Sequence, residues 1–386
     1  MLESALRGSK RYWLLLGFWA LVILAGLAAY SRQLSEGLTI TGMSRDVTWG
    51  LYIAQFTFLV GVAASAVMVV LPYYVHNYKA FGRMVILGES LAVSAVAMCM
   101  LFVFVDLGQP RRVLNVLLYP SLHSVMFWDV VVLSGYLLLN LVIGGVTLEA
   151  ERQGTPPPKW VKPLVYLSIP WAVSIHTVTA FLFSGLAARP FWMTSILAPR
   201  FLASAFASGP SLLILLALIL RKFTKFDPGR EAIQKLATIV TYAMVINVFF
   251  VLVELFTALY GEMPHHLHPF EYLFLGLDGK SALVPWMRVC ELLTVGCVVL
   301  LLIPQVRRQE GLLAVLCVAV IAAIWIEKGM GMVVTGFVPS PLGKITEYVP
   351  TAPEIMITLG VYAIGFFLLS VFCKIVVGVR ERVEMA

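Results

Sequence analysis

Ten long apolar runs constrain this chain more than any other feature of its sequence. Each run is close to the roughly 20 residues that an α-helix needs to cross the hydrocarbon core of a bilayer. Membrane β-strands would be half as long and would alternate apolar with polar residues, and these runs do not. Short connections rich in turn-forming residues separate the runs. The runs cover residues 12–30, 49–74, 83–106, 122–148, 163–187, 201–221, 232–260, 282–306, 311–335 and 354–377.

The composition supports a membrane protein. Of the 386 residues, 60% are hydrophobic and 13% are charged, whereas soluble domains have about half and about a quarter. The net charge of +7 does not indicate a nucleic-acid-binding protein, because the basic residues fall in short loops between the apolar runs. We predict an all-α integral membrane protein with ten transmembrane helices, the first of which is a retained helix rather than a signal peptide.

The distribution of Lys and Arg predicts the orientation. With the N-terminus inside, 18 basic residues lie in inner segments and eight in outer segments, as the positive-inside rule requires. Both termini are then cytoplasmic, and in a bacterium the chain crosses the inner membrane with its outer loops in the periplasm. The eight outer residues are Arg32, Arg45, Arg111, Arg112, Arg189, Arg200, Lys280 and Lys344.

The order of the spans suggests an internal division. Helices 2–5 and helices 6–9 each make four spans that start from the outside. We predict a single membrane domain, residues 1–386, in which residues 49–188 and 201–335 form two parallel four-helix bundles flanked by helices 1 and 10. No strong sequence repeat relates the halves. A secondary transporter is disfavoured, because no paired Gly- or Pro-broken helices stand at corresponding positions.

An acidic residue ends the third run, in the sequence Asp106-Leu-Gly-Gln-Pro110, and Arg111 and Arg112 follow it. A carboxylate at the end of a membrane span is costly unless it has a partner or touches water. We therefore interpret this corner as the wall of a site at the outer membrane face.

Aromatic, amide and imidazole side chains near the same face complete a candidate quinone site. An aromatic belt accounts for some of them without any ligand. However, rings that stack, groups that bond to carbonyl oxygens and acids that move protons together suit a quinone. The candidates beside Asp106 are Trp49, Tyr52 and Gln55 on one face of helix 2, His123 and Trp128 at the start of helix 4, and His176 in helix 5.

Further ionisable residues lie at several depths, and such residues in membrane spans are functional candidates. Glu327 and Lys328 are interpreted as a helix-packing ion pair, and Glu354 as a helix cap. Arg288 and Glu291 are spaced to pair on one helix face. The candidates for a proton path are Glu89, Asp129, Glu254, Arg288 and Glu291.

The sequence indicates no haem and no iron–sulfur cluster within the chain. The five cysteines stand singly in apolar runs and form no CxxC pair, unlike the ligands of iron–sulfur or zinc sites. Only His176 lies deep enough to ligate a membrane haem, and His265 and His268 are assigned to a solvated outer loop. If the protein does redox chemistry, electrons must therefore pass through another subunit.

Six motifs in order resemble the NrfD/PsrC family, the polysulfide reductase membrane subunits, over residues 49–360. One departure is Glu327-Lys328, where the family pattern leads us to expect an acid followed by Arg. The motifs are Trp49-Gly50 with Phe58-Leu-Val-Gly61; Asp106-Leu-Gly-Gln-Pro110; Ser124-Val-Met-Phe-Trp128; His176 with Ala187-Ala-Arg-Pro-Phe-Trp192; Glu254 with Tyr260; and Tyr348-Val-Pro-Thr351 with Glu354.

The resemblance implies a menaquinone or menaquinol site near the outer face, with Asp106 as its acid and Gln55, His123 and His176 as further groups. It also implies a neighbouring periplasmic ferredoxin-like iron–sulfur subunit. The motifs are most similar to those of redox complexes of sulfate reducers, whose other subunits are a multihaem cytochrome c, a cytochrome b and a cytoplasmic heterodisulfide-reductase-like protein. Asp106 and His176 would exchange protons with the quinone.

The resulting hypothesis is a quinone-interacting membrane subunit of a complex for anaerobic respiration. It would exchange electrons between menaquinone and the iron–sulfur partner, with no redox centre of its own. Two alternatives stay open. One is a proton-translocating subunit, for which Glu89 discriminates because it alone lies clearly in the inner half of its helix. The other is a purely structural anchor whose polar residues only hold partners.

Overall fold

The computed structural model describes residues 5–6 and 8–385, with side chains up to residue 381. Arg7 and the side chain of Arg382, two of the basic residues counted as cytoplasmic, lie outside the described residues.

All ten predicted spans are helices that are long and apolar enough to cross a membrane. Most boundaries fall within a few residues of the prediction. The largest difference is at the first helix, which continues for a further ten residues through a polar segment. The helices are α1 Lys10–Ile40, α2 Leu51–Tyr74, α3 Lys79–Asp106, α4 Val125–Arg152, α5 Val161–Ser184, α6 Leu197–Phe223, α7 Arg230–Gly261, α8 Val284–Leu302, α9 Glu310–Thr335 and α10 Ala352–Glu381.

Helix α2 lies at the centre of the protein, and its apolar segment is wholly buried. It packs against α3, α5, α6 and α9. Helices that are consecutive in the chain also pack against each other: α3 with α4, α4 with α5, α6 with α7 and α8 with α9. Because α2 and α5 both contact α6, the two sets of four helices share an interface, and their division into two bundles stays a prediction.

Two central helices are irregular. Helix α2 contains a 3₁₀ turn, Ala64–Ala66, which packs against α6. Helix α9 contains a seven-residue π-helix, Trp325–Gly331. Irregular backbone at membrane depth is tolerated where protein rather than lipid surrounds it. Consistent with this, most of the π-helix and all of the 3₁₀ turn are buried.

Helices α1 and α10 pack against each other at the edge of the protein. They come closest at Gly26 and Gly360, where a Cβ on Gly26 would lie 2.6 Å from the Cα of Gly360. Small residues permit such close approach between membrane helices. This contact fixes the course of α1 towards the C-terminal end of α3.

The segment with three histidines between α7 and α8 corrects the sequence prediction. It was expected to be a solvated loop, but it forms the helix Pro264–Phe274. Pro264 starts this helix at a position that suits proline. Of the three histidines, His265 is exposed while His266 and His268 are half-buried.

Candidate functional site

The C-terminal end of α3 is joined to α1 and α2 through the buried side chain of Gln33. Its Nε2 donates to the Val105 carbonyl oxygen at 2.7 Å, and its Oε1 accepts from the Tyr52 hydroxyl at 2.8 Å. Tyr52 is completely buried. The sequence analysis missed Gln33 because it lies beyond the apolar run, in the polar extension of α1.

Asp106 is the last residue of α3 and lies next to this hydrogen-bonded group. Its Oδ1 is buried and finds no hydrogen-bond partner in the described part of the chain. Leaving a buried polar atom unpaired costs about 1–3 kcal/mol, and more if it is charged. The described residues therefore leave the hydrogen-bonding capacity of Asp106 Oδ1 unused.

A cleft of about 610 Å³ lies between the end of α1 and the loop that follows Asp106. We refer to it as the Asp106 cleft because its lining includes residues on both sides of Asp106 in the sequence, although not Asp106 itself. Its volume is within the range of about 300–1,000 Å³ that is typical of small-molecule sites. Its walls are Tyr30, Gln33, Leu34 and 35–38 from α1, Phe104 from α3, and 107–111 from the loop.

Glu354, in the first turn of α10, is completely buried. With Thr351 it forms a reciprocal cap at the start of α10, each accepting from the other's backbone N–H at 3.4 Å. The predicted cap is therefore confirmed. Glu354 also accepts from the Gly42 N–H at 3.0 Å and from the Tyr348 hydroxyl. Burial and the Glu354 carboxylate raise the pKa of Tyr348, so its hydroxyl remains protonated at neutral pH.

The structure directs Trp49 and Gln55 away from the Asp106 cleft. Trp49 stacks on Trp192 with ring centroids 5.7 Å apart, and the edges of two phenylalanine rings meet it. The Oε1 of Gln55 accepts from Trp325 Nε1 at 2.8 Å and from the Tyr362 hydroxyl at 2.6 Å. Gln55 thus links α2 to α9 and α10, and its carbonyl oxygen is already used within the protein.

The three remaining predicted site residues lie on α4 and α5 or just before them. His123 and Trp128 are exposed, and Trp128 Nε1 donates to the Leu122 carbonyl oxygen at 2.9 Å. His176 is completely buried, with its Nδ1 2.9 Å from the carbonyl oxygen of Ala172 on the same helix. Its Nε2 is buried without a hydrogen-bond partner among the described residues.

Two of the proton-path candidates are buried acids in the first four-helix set. Asp129 of α4 accepts from the Thr179 hydroxyl of α5 at 2.7 Å. Glu89 of α3 is 3% exposed, and its Oε2 has no hydrogen-bond partner within the described chain. A Cβ on Gly144 of α4 would lie 3.0 Å from this oxygen, so Glu89 packs closely against the backbone of α4.

A buried ion cluster in the second set of helices corrects the sequence prediction. Arg200 was counted as an outer-loop residue, but it lies within the first turn of α6 and is 9% exposed. It pairs with Glu254 of α7, and its Nη2 lies 2.6 Å from Glu327 Oε1 of α9. Asn247 also donates to Glu327, at 2.9 Å. The sequence contains an indication that Arg200 is buried. Glu254 and Glu327 are acids inside neighbouring spans, and acids in such positions require a nearby cation.

The prediction that Glu327 and Lys328 form an ion pair with each other was wrong. Glu327 pairs with Arg200 instead, because adjacent residues on a helix point in different directions. Lys328 is buried and lies over the ring of Phe201, 4.3 Å from its centroid, with Nζ 3.4 Å from that residue's carbonyl oxygen. A Cβ on Gly61 of α2 would stand 3.4 Å from this Nζ, so glycine provides space for the lysine head.

Arg288 and Glu291 form the predicted pair on α8, at 3.0 Å. Both side chains are exposed, at 54% and 38%. The arginine also donates to the Phe274 carbonyl oxygen at the end of the preceding short helix, at 3.0 Å. The pair thus anchors that helix to α8.

The helices and their buried polar groups define a multi-pass α-helical integral membrane protein that keeps several ionisable side chains inside the bundle. A family model described as polysulphide reductase, NrfD, matches residues 39–338. The chain belongs to this family.

Three relatives cover most of the length of the chain. A putative dimethyl sulfoxide reductase membrane subunit from Halobacterium salinarum is 26% identical over 91% of this chain and 88% of its own. An Hdr-like menaquinol oxidoreductase integral membrane subunit from Archaeoglobus fulgidus is 25% identical over 61% of this chain and 59% of its own. A menaquinone reductase integral membrane subunit from Nitratidesulfovibrio vulgaris is 23% identical over 74% and 72%.

Proposed function

We propose that this protein is the quinone-interacting membrane subunit of a respiratory redox complex, and that menaquinone or menaquinol binds in the Asp106 cleft. The observation that carries the proposal is the unpaired, buried Oδ1 of Asp106 beside a cleft of about 610 Å³. Two of the relatives are named for reactions of menaquinone or menaquinol.

The residues of the cleft suit a quinone head group. Tyr30, Leu34 and Phe104 provide apolar and aromatic walls, and Gln33 provides a polar edge. The cleft also opens beside α1 at the edge of the protein, where a lipid-soluble substrate can arrive from the bilayer. Asp106 is not itself a lining residue, so in our proposal its carboxyl group turns towards the head group in the cleft. There it would accept from a quinol hydroxyl or, when protonated, donate to a quinone carbonyl.

The chemistry follows from the balance of the reaction. Interconversion of quinol and quinone moves two electrons and two protons. In our proposal Asp106 exchanges one proton with the nearer quinone oxygen, in the manner of general acid–base catalysis. The second proton is exchanged between the other quinone oxygen and water at the opening of the cleft. Gln33 holds the end of α3 in place through its bond to Val105. In this proposal the electrons pass to or from an iron–sulfur subunit docked on the same face.

The orientation is part of the proposal. The excess of basic residues at the opposite end of the helices supports a cytoplasmic location for both termini and a periplasmic location for the Asp106 cleft. The proposed partner is then a periplasmic ferredoxin-like subunit. Cytochrome and heterodisulfide-reductase-like subunits would complete a complex of the kind found in sulfate reducers.

Replacing Asp106 by Asn tests the assignment, because the change keeps the shape of the side chain but removes its ability to exchange a proton. We expect quinol-dependent reduction of the partner clusters in the assembled complex to fall by roughly 100-fold or more. The matched control is Asp278→Asn, at an exposed turn with φ of 48°, which asparagine tolerates. Unchanged turnover and quinone affinity in Asp106→Asn would refute the assignment.

Proton translocation is a second candidate function. It is supported by buried, unpaired polar atoms at other depths, namely Glu89 Oε2 and His176 Nε2. A quinone site at the Asp106 end of the helices does not need Glu89. If protons cross the protein, we expect Glu89→Gln to abolish charge movement in proteoliposomes while quinol oxidation continues. Glu262→Gln, at an exposed position, serves as the control. Full charge movement in Glu89→Gln would exclude a path through this residue.

A further inference from the structure

A second groove lies at the opposite end of the helices from Asp106. Its volume is about 240 Å³, and it runs between the start of α7 and the connection from α8 to α9. We refer to it as the basic groove. One stripe of α7 forms one wall, and the α8–α9 connection forms the other. The lining residues are Glu231, Gln234, Lys235, Thr238, Pro304, Arg307 and Arg308.

The basic groove is lined by three cations and one acid, so it carries an excess of positive charge. Lys235, Arg307 and Arg308 make no ion pair within the described chain. The single acid of the groove, Glu231, accepts a hydrogen bond from the Tyr78 hydroxyl at 2.6 Å. The groove is therefore electropositive and suits an anionic group.

The backbone holds these cations in place. Arg307 donates to the Leu301 carbonyl oxygen at 2.6 Å, which ties it to the end of α8. Gln234 donates to the Arg307 carbonyl oxygen at 3.0 Å, and Arg230 donates to the Arg308 carbonyl oxygen at 3.2 Å. Helix α7 thus fixes the connection through two side-chain bonds, and the side chain of Arg308 stays exposed.

An apolar surface continues from the basic groove towards the middle of the membrane. On α7 the stripe through Lys235 continues with Tyr242 and Phe249, which are 66% and 60% exposed. On α8 the neighbouring Leu302 and Val299 are 52% and 54% exposed. A ligand that follows this surface must have a charged end and an apolar tail.

We propose that the basic groove binds an anionic phospholipid, with its phosphate among Lys235, Arg307 and Arg308 and its acyl chains along α7 and α8. Basic pockets between membrane helices recognise lipid head groups in this way. The lipid would belong to the leaflet opposite the Asp106 cleft. The proposal does not depend on the quinone assignment.

The test compares lipid binding by the delipidated full-length chain in detergent, measured by native mass spectrometry. The probes are phosphatidylglycerol and phosphatidylcholine with identical acyl chains. We expect the wild type to prefer phosphatidylglycerol by roughly tenfold or more, and Lys235→Gln/Arg308→Gln to lose this preference. The matched control is Lys159→Gln/Lys162→Gln, which removes two charges from the α4–α5 connection at the same end of the helices.

Two further measurements decide between the possible ligands. Glycerol phosphate, which has the head group without the tail, should not displace the lipid at equal concentration. In addition, the lipid should remain bound in the assembled complex. If glycerol phosphate binds as well as the lipid, the groove is a site for free phosphate. If partner subunits exclude the lipid, it is a subunit contact. Either result overturns the proposal, as does an unchanged preference in the double variant.

Thermal unfolding in lipid-free detergent checks that the double variant folds correctly. Its unfolding midpoint should match that of the wild type. If it unfolds, Lys235→Gln and Arg308→Gln are measured singly, and each should weaken phosphatidylglycerol binding by roughly fivefold. Equal binding by both single variants and the wild type would then refute the proposal.

Discussion

Arg200 contacts two acids from two other helices, and this arrangement makes it the ionic centre of α6, α7 and α9. The cluster removes one guanidinium and two carboxylate groups from water together, with a formal net charge of −1. Burial of charges is costly, and mutual attraction repays the cost only when the geometry and the additional hydrogen bonds are good. Asn247 provides one such hydrogen bond to Glu327. The cluster therefore tolerates poorly the loss of Arg200, the cation in direct contact with both acids.

Replacing Arg200 by Gln should strongly destabilise the protein. The change leaves Glu254 and Glu327 buried without a cation, and removing one partner of a buried ion pair typically costs about 3–5 kcal/mol. Thermal unfolding of the purified protein in detergent measures the effect.

Arg221→Gln is the matched control for Arg200→Gln, on the same helix. Arg221 pairs with Glu310, but the two side chains are 30% and 25% exposed. Its loss should cost no more than about 1 kcal/mol, as for other solvated pairs. Similar midpoints for the two variants would show that the Arg200 cluster contributes little to stability.

Among the ten helices, α1 packs least against the rest of the protein, because only 11% of its apolar segment is buried. It nevertheless delivers Gln33 to the end of α3. Its position depends on the close approach to α10, where the backbones meet at Gly26 and Gly360. A change in the distance between α1 and α10 is therefore transmitted to the Asp106 cleft.

Replacing Gly26 by Ala should push α1 away from α10, because the new Cβ would lie 2.6 Å from the Cα of Gly360. We expect a lower unfolding midpoint and weaker quinol-dependent activity. The control is Gly17→Ala on the same helix, where no atom would lie within 4 Å of an added Cβ. Alanine is a better helix former than glycine, so Gly17→Ala should be neutral or slightly stabilising. Identical behaviour of both variants would argue against the close contact.

The sequence predicted the number and approximate bounds of the ten helices because apolar length is a strong local signal. It did not predict Gln33 or the burial of Arg200. Both lie just outside an apolar run, where hydropathy alone cannot tell a helical polar residue from a loop residue. Their environments depend on residues far away in the chain, Tyr52 for Gln33 and Glu254 and Glu327 for Arg200. The sequence correctly placed Asp106 at a helix end.

At the scale of the whole molecule, the two ends of the helices differ in chemistry. One end carries the Asp106 cleft and the other carries the basic groove and most of the basic loops. An even number of spans also places both termini on one side of the membrane. The charge asymmetry predicts that this side is the cytoplasm.

Cysteine labelling tests this orientation in cells whose outer membrane is permeabilised and whose inner membrane is intact. The five native cysteines are buried and should give little background. We expect Ser121→Cys, at the Asp106 end, to react with a membrane-impermeant maleimide in intact cells. Lys159→Cys, at the other end, should react only after lysis. The reverse pattern would invert the orientation and would place the quinone site on the cytoplasmic face.

The π-helix of α9 has a consequence for how this chain is compared with its relatives. A π turn holds one more residue than an α turn, so Trp325–Gly331 carries the equivalent of an insertion without a loop. Every residue after it is rotated relative to an uninterrupted helix. Glu327 contacts Arg200 of α6, while the next residue, Lys328, lies over Phe201 and beside Gly61 of α2. A relative with an uninterrupted α9 would therefore present the residues that follow Gly331 at a different angle about the helix axis.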